Sequence, residues 1–195
     1  MPRIEAATVR EHHDLRRQRL LEAARASLLD PSLRSVGFEH IGPRAGIRRN
    51  SVYLYFPSET HLYIALAEQE VAELAKALED VVASNEGDAA FSAIVDLVLC
   101  PEPRVEFELL RRLATRTTAQ RADLAVSRSQ ELYTELARPL AALYEAQGAQ
   151  PAGHLARLAI GILEAAASEQ ASVQHLEDLK AITARALAAL ASAAR

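Results

Sequence analysis

Residues 38–62 read Phe38-Glu-His-Ile-Gly-Pro-Arg-Ala-Gly-Ile-Arg-Arg-Asn-Ser-Val-Tyr-Leu-Tyr-Phe-Pro-Ser-Glu-Thr-His-Leu62. Two short helical stretches, 38–44 and 48–54, are separated here by only Ala45-Gly46-Ile47. Three residues permit nothing but a sharp turn, and the glycine at its corner supplies the backbone freedom it needs. This is the layout of a helix-turn-helix, whose second helix can enter a major groove. Phe38, Ile41, Ala45, Ile47, Val52 and Phe56 are spaced to pack inward against Leu20, Ala24 and Leu28 of a preceding helix. Arg48, Arg49, Asn50 and Ser51 then face outward at the start of the second short helix. Free backbone N–H groups and the helix dipole favour anions at such an end. Arg49 is suited to guanine O6/N7, and Asn50 to adenine. The competing reading makes Arg48 and Arg49 a solvated face and nothing more.

Outward from this stretch almost everything reads as helix, because Ala, Leu, Glu and Arg dominate. The breakers cluster at Asp30-Pro31, Gly37, Gly42-Pro43, Gly46, Pro57, Asn85-Glu86-Gly87, Pro101 with Pro103, and Gly148 to Gly153. Between them the sequence predicts helices near 6–29, 38–44, 48–54, 58–84, 88–99, 104–116, 118–147, 152–171 and 174–193. Pro139 should kink or split the seventh. No alternating Val/Ile/Thr segment suggests a sheet. The expectation is an all-α protein of about nine helices, with one domain at 1–57 and a larger helical domain at 58–195.

The 195 residues are half apolar and a quarter charged, ordinary for a folded protein and too apolar for disorder. No uninterrupted apolar run is long enough for a membrane span, and residues 1–13 lack the apolar core of a secretory signal. Cys100 is the single cysteine, which rules out an internal disulfide and a cysteine-cluster metal site. A cytoplasmic protein is expected. The net charge of −4 is unevenly spread. Residues 1–60 carry ten Arg and seven acids, a net of +3, whereas the remainder carries 12 basic and 19 acidic residues, a net of −7. A basic portion joined to an acidic one suits a protein that offers one face to a polyanion. An imbalance of this size also arises by chance.

The quoted stretch resembles the amino-terminal domain of the TetR family of transcriptional regulators. Ile41, Ala45-Gly46-Ile47, Val52-Tyr53, Tyr55-Phe56-Pro57-Ser58 and Leu62 stand where that pattern expects them, and Arg19-Leu20-Leu21-Glu22-Ala23-Ala24 is similar to its first helix. The match covers residues 15–66, about a quarter of the chain. The resemblance implies phosphate or groove contacts for Tyr53 and Tyr55, beside Arg48, Arg49, Asn50 and Ser51. Ser35 and Gly37, at the mouth of the second helix, would add backbone contacts to phosphate. The sequence departs from the family at four places. Glu59 replaces a common lysine that touches a phosphate, and would repel one unless paired with an arginine. Gly42-Pro43 replaces helix-favouring residues, Arg48 replaces a capping Ser or Thr, and Asn50 replaces a frequent glycine.

For the rest of the chain the resemblance implies a domain that binds a small molecule and dimerises. Leu155, Leu158, Ile162 and Ala166 recur at helical spacing, as do Leu176, Leu179, Thr183, Leu187 and Leu190. Gly161, Ala165 and Ala189 would let helices approach closely. These stripes fit a homodimer with a four-helix interface, or equally an intramolecular core. Phe107, Leu110, Arg111, Tyr133, Leu136, Leu140 and Glu164 offer an apolar lining with a few polar anchors, the mix of a ligand pocket.

Signatures of enzymes are missing: no GxGxxG, no phosphate loop before Lys, no GxSxG. No cofactor or metal is expected, because His12, His13, His40, His61, His154 and His175 form no ligand-spaced pair. Cys100 reads as a small buried hydrophobe, with a redox-sensing thiol the less favoured alternative. The sequence therefore predicts a ligand-responsive repressor that binds a palindromic double-stranded DNA operator as a homodimer. The alternative is a helical interaction protein of the same fold that has lost DNA binding.

Overall fold

The computed structural model describes residues 6–30, 32–33, 36–100, 105–115, 122–169 and 175–194. Among the described residues there are nine helices and no strand: α1 (Ala6–Leu28), α2 (Phe38–Arg44), α3 (Arg49–Val52), α4 (Glu59–Ser84), α5 (Gly87–Val98), α6 (Glu106–Thr115), α7 (Ala122–Ala146), α8 (Ala152–Glu169) and α9 (Leu176–Ala193). The expected helix ends at 104, 116, 118, 171 and 174 lie outside the described residues. The third helix is shorter than expected. It stops after one turn, and Tyr53 to Tyr55 form a further turn rather than helix. The expected split of α7 at Pro139 does not occur, for the helix runs through that residue without a break. Its packing on α6 and α8 outweighs the one backbone hydrogen bond that proline removes.

The chain divides into two compact units, Met1–Ala67 and Glu68–Arg195, so that α4 opens in the first and continues in the second. In the first unit Leu20, Leu21 and Ala24 of α1, Phe38 and Ile41 of α2, Val52 of α3, Phe56, and Leu62, Tyr63 and Leu66 of α4 are buried together. Each large side chain removed from water contributes about 1.5–3 kcal/mol. Ala45, Ile47 and Leu28, expected to join them, are only half-buried.

The turn between α2 and α3 is held by its backbone. Ala45 N–H donates to Ile41 O (3.0 Å), Gly46 N–H to Pro43 O (3.0 Å) and Ile47 N–H to Gly42 O (2.8 Å). Gly46 has φ of +69°, the left-handed region that glycine enters without cost. Gly42 is needed for a different reason. A Cβ there would lie 2.8 Å from Ile47 O, so only glycine lets the turn fold back this closely. Ser58 then opens α4, its Oγ accepting from His61 N–H (3.4 Å) and lying 2.8 Å from His61 Nδ1.

In the second unit α7 packs against α6 and α8, and α9 against α5 and α8. The buried Tyr144 donates its hydroxyl to Leu187 O (3.1 Å), and its ring meets Phe91 at 5.5 Å. Lys180 of α9 pairs with Asp96 of α5 (3.0 Å).

Candidate nucleic-acid interface and ligand clefts

Arg48 precedes α3 in extended conformation (φ −61°, ψ 139°) and makes no side-chain cap. Its carbonyl accepts from Ser51 N–H (2.8 Å) and closes the single turn. Fully buried Val52 anchors that turn in the core and leaves Arg48, Arg49 and Asn50 exposed, with Ser51 half-buried. One turn carries little dipole, so the expected contribution of the helix end to anion binding is small here. The positive charge comes from the two guanidinium groups. Tyr53 is half exposed and meets Phe38 edge-on at 5.1 Å. Tyr55 is half-buried, its ring 4.8 Å from His13. Leu54, which the sequence reading passed over, is 77 % exposed beside them. Its position between the two tyrosines was the signal, and an apolar tip there suits a thymine methyl.

The mouth of α2 differs from expectation. Ser35 lies outside the described residues. Gly37 is buried, and a Cβ on it would meet Glu39 Oε1 at 2.5 Å and Glu59 Oε1 at 2.7 Å. The expected contact of the Gly37 backbone with phosphate is therefore covered by two carboxylates. Phe38 N–H donates to Glu59 Oε1 (3.2 Å). Glu59 thus satisfies the first amide of α2, a role that spacing alone does not reveal.

In the second unit three clefts follow the exposed edge of α8. One of about 570 Å³ lies against α7, among Thr134, Ala137, Arg138, His154 and Arg157. Its neighbour of about 610 Å³ shares Thr134 and Arg157 and adds Tyr133, Ile160 and Glu164. A third of about 370 Å³ shares Glu164 and is closed by Phe107 and Arg111 of α6. The structure thus places Phe107, Arg111, Tyr133 and Glu164 on these clefts. It does not place Leu110, Leu136 and Leu140 there: all three are wholly buried in the helical core and line none of the three. Tyr133 donates its hydroxyl to Glu164 Oε2 (3.1 Å). Burial first, then the charge of Glu164 and this hydrogen bond, push the Tyr133 phenol up to about 12. Arg111 is held by Glu108, with Nε 2.9 Å from Oε2.

The two stripes on α8 and α9 divide between core and surface. Leu155, Thr183 and Leu187 are buried inside the unit, because α8 and α9 pack on each other and α9 also on α5. They are unavailable to a partner, contrary to the expectation. Leu158 is 57 % exposed, and Ile162, Leu176, Leu179 and Leu190 are half-buried. Gly161, Ala165 and Ala189 are exposed between them. Ile182, missed in the stripe, is 56 % exposed. Among the described residues no group of three His, Cys, Asp or Glu could hold a metal, and no helix is long and apolar enough to cross a membrane. Cys100 is half-buried rather than buried.

No protein-family model and no curated protein matches the sequence. Solved structures do match the fold. A transcriptional regulator from Rhodococcus sp. Rha1 superposes with a TM-score of 0.74 at 15% identity, covering 91% of this chain and 97% of the other. A TetR transcriptional regulator from Legionella pneumophila gives 0.66 at 17% identity, over 86% and 95%. RolR, solved with its ligand resorcinol, gives 0.60 at 22% identity, over 93% of each chain.

Proposed function

We propose, from the all-α fold that the chain shares with TetR-family transcriptional regulators, that it is a ligand-responsive transcriptional repressor, binding a palindromic operator as a homodimer. The observation that carries the reading is the α2–α3 turn. Buried Ile41 and Val52 fix the backbone while Arg48, Arg49 and Asn50 project from it into solvent. Arg49 reads guanine, Asn50 reads adenine, and Tyr53 and Tyr55 contact the flanking backbone. One such module reads few base pairs, so two are joined by a two-fold axis. The joining face is the exposed side of α8 and α9, with Leu158, Ile162, Leu179, Ile182 and Leu190.

The effector occupies the α6–α8 clefts, where the Tyr133–Glu164 pair offers a fixed polar anchor over apolar walls. An effector that favours one separation of the two recognition turns over another shifts the dimer between DNA-binding and released populations. Helix α4, shared by both units, connects effector and turn.

The test is selection of bound sequences from a random duplex library, comparing wild type with Arg49→Ala over a salt series. A palindromic site should emerge, be lost in the variant and weaken with salt. One observation favours a second reading, an interaction protein that has lost DNA binding: the carboxylate of Glu59 sits where the family resemblance expects a phosphate-binding lysine. If wild type enriches no site and Glu59→Lys does, that second reading stands.

A further inference from the structure

The face of α1 that enters the core at Leu20, Leu21 and Ala24 continues toward the start of the helix as Arg17, Asp14, His13 and Arg10, three or four residues apart. Along this face α1 runs beside the segment that follows α3. The Arg17 guanidinium lies 5.0 Å over the ring of Phe56. One turn earlier the His13 ring lies 4.8 Å from that of Tyr55, with Asp14 Oδ1 3.7 Å from His13 Nδ1. One turn earlier again comes Arg10, exposed and without an ion-pair partner among the described residues. Successive turns of α1 therefore step along the chain from buried Phe56 to half-buried Tyr55 and past it. Between residues 10 and 19 the helix carries four arginines against Glu11 and Asp14.

We infer that the first half of α1 is a second DNA-contacting element, with Arg10 and His13 gripping the sugar–phosphate backbone beside the groove that Arg49 and Asn50 enter. The inference rests on the DNA-binding reading above. A backbone phosphate fits better than a base edge. These side chains stand on a helix that is not the one seated in the groove, and exposed arginine supplies charge there without a shape that distinguishes bases. The contact adds affinity to any duplex and leaves the choice of sequence to the α3 turn.

Fluorescence anisotropy of the full chain tests this, with the selected operator and a scrambled duplex of equal length titrated across a salt series. Arg10→Ala should weaken binding to both duplexes by about 3–10-fold and lower the slope of log K against log salt by about one. Arg10→Lys, which keeps the charge, should restore most of both. Arg16→Ala removes the same charge about 120° around the helix and should change neither. Arg10 is exposed, so circular dichroism should show all variants folded. If Arg10→Ala binds both duplexes as wild type does, the inference is overturned. A loss confined to the operator would make Arg10 a base reader and overturn it as well. Wild type that binds neither duplex overturns the DNA-binding reading itself, whereas loss with Arg49→Ala but not with Arg10→Ala overturns only this extension.

Discussion

Tyr133 of α7 and Glu164 of α8 are paired by a hydrogen bond of 3.1 Å, and the pair gives a testable titration. Burial first, and then Glu164, hold the phenol up at about 12 against an ordinary value of 10. Its neutral form is thus favoured by folding, and the associated stability is present below about pH 10 and is lost as pH rises through about 12. Absorbance of phenolate should show Tyr133 ionising late, and Tyr133→Phe should remove that step and flatten the loss of stability in the same window. A Tyr133 that ionises near 10 would mean that neither its burial nor its bond to Glu164 persists in solution. Both residues are legible in the sequence as polar groups among apolar neighbours. Arg48, Arg49 and Asn50 are legible as outward-facing because the breakers around them fix a turn, and a turn shows which residues face out. The partner of Glu59 is not, since Phe38 lies 21 residues away and only the folded chain brings its amide to 3.2 Å. The core placement of Leu110, Leu136 and Leu140 is not legible for a related reason: an apolar stripe says that a face is buried, not whether protein or ligand buries it.

At the level of elements the sequence was read most accurately where glycine and proline punctuate it. The bounds of α2 and α4 follow from Gly37 and Pro57. The length of α3 did not, because Tyr53 to Tyr55 are acceptable helix residues that the return into the core at Phe56 pulls out of helical conformation. Gly42-Pro43 looked like a weakness in α2, yet the helix is intact through Arg44. Pro43 falls in the last turn, and Gly42 makes the α2–α3 corner possible. Gly42→Ala should therefore cost more than helix propensity would suggest. Alanine is the better helix former, but its Cβ would press on the Ile47 carbonyl at 2.8 Å, backbone that cannot yield without opening the turn. Overpacking of this kind costs about 1–3 kcal/mol, and each kcal/mol lowers the melting temperature of a chain this long by about 2–4 °C. Gly153→Ala, where nothing lies within 4 Å of the added Cβ, is the matched control and should not lower it. Equal melting temperatures for the two variants would remove the steric argument for Gly42.

For the whole molecule the question is what the exposed apolar surface of α8 and α9 is for. The alternation of buried and exposed stripe residues explains why the sequence could not separate core from partner face. Leu155 and Leu158 lie three residues apart on one helix, yet the first enters the core and the second is 57 % exposed. Helices packed on both flanks expose a narrow strip, and burial of Thr183 beside exposed Ile182 marks its edge on α9. Leu158 is exposed on α8 with the small residues Gly161 and Ala165, and Ile182 on α9 with Ala189; small residues at such positions permit close helix approach. If this strip joins two copies, charge placed there should separate them without unfolding either. Leu158→Glu with Ile182→Glu should sediment as a folded monomer and lose operator affinity far more than affinity for a half-site, because the second turn is no longer held in register. Leu187→Ala should behave in the opposite way. It opens a cavity in the unit, costs about 2–5 kcal/mol of stability, and leaves the remaining folded protein dimeric. Were the charged variant still a dimer, another face would hold the two copies together, and the exposed strip would need a different occupant.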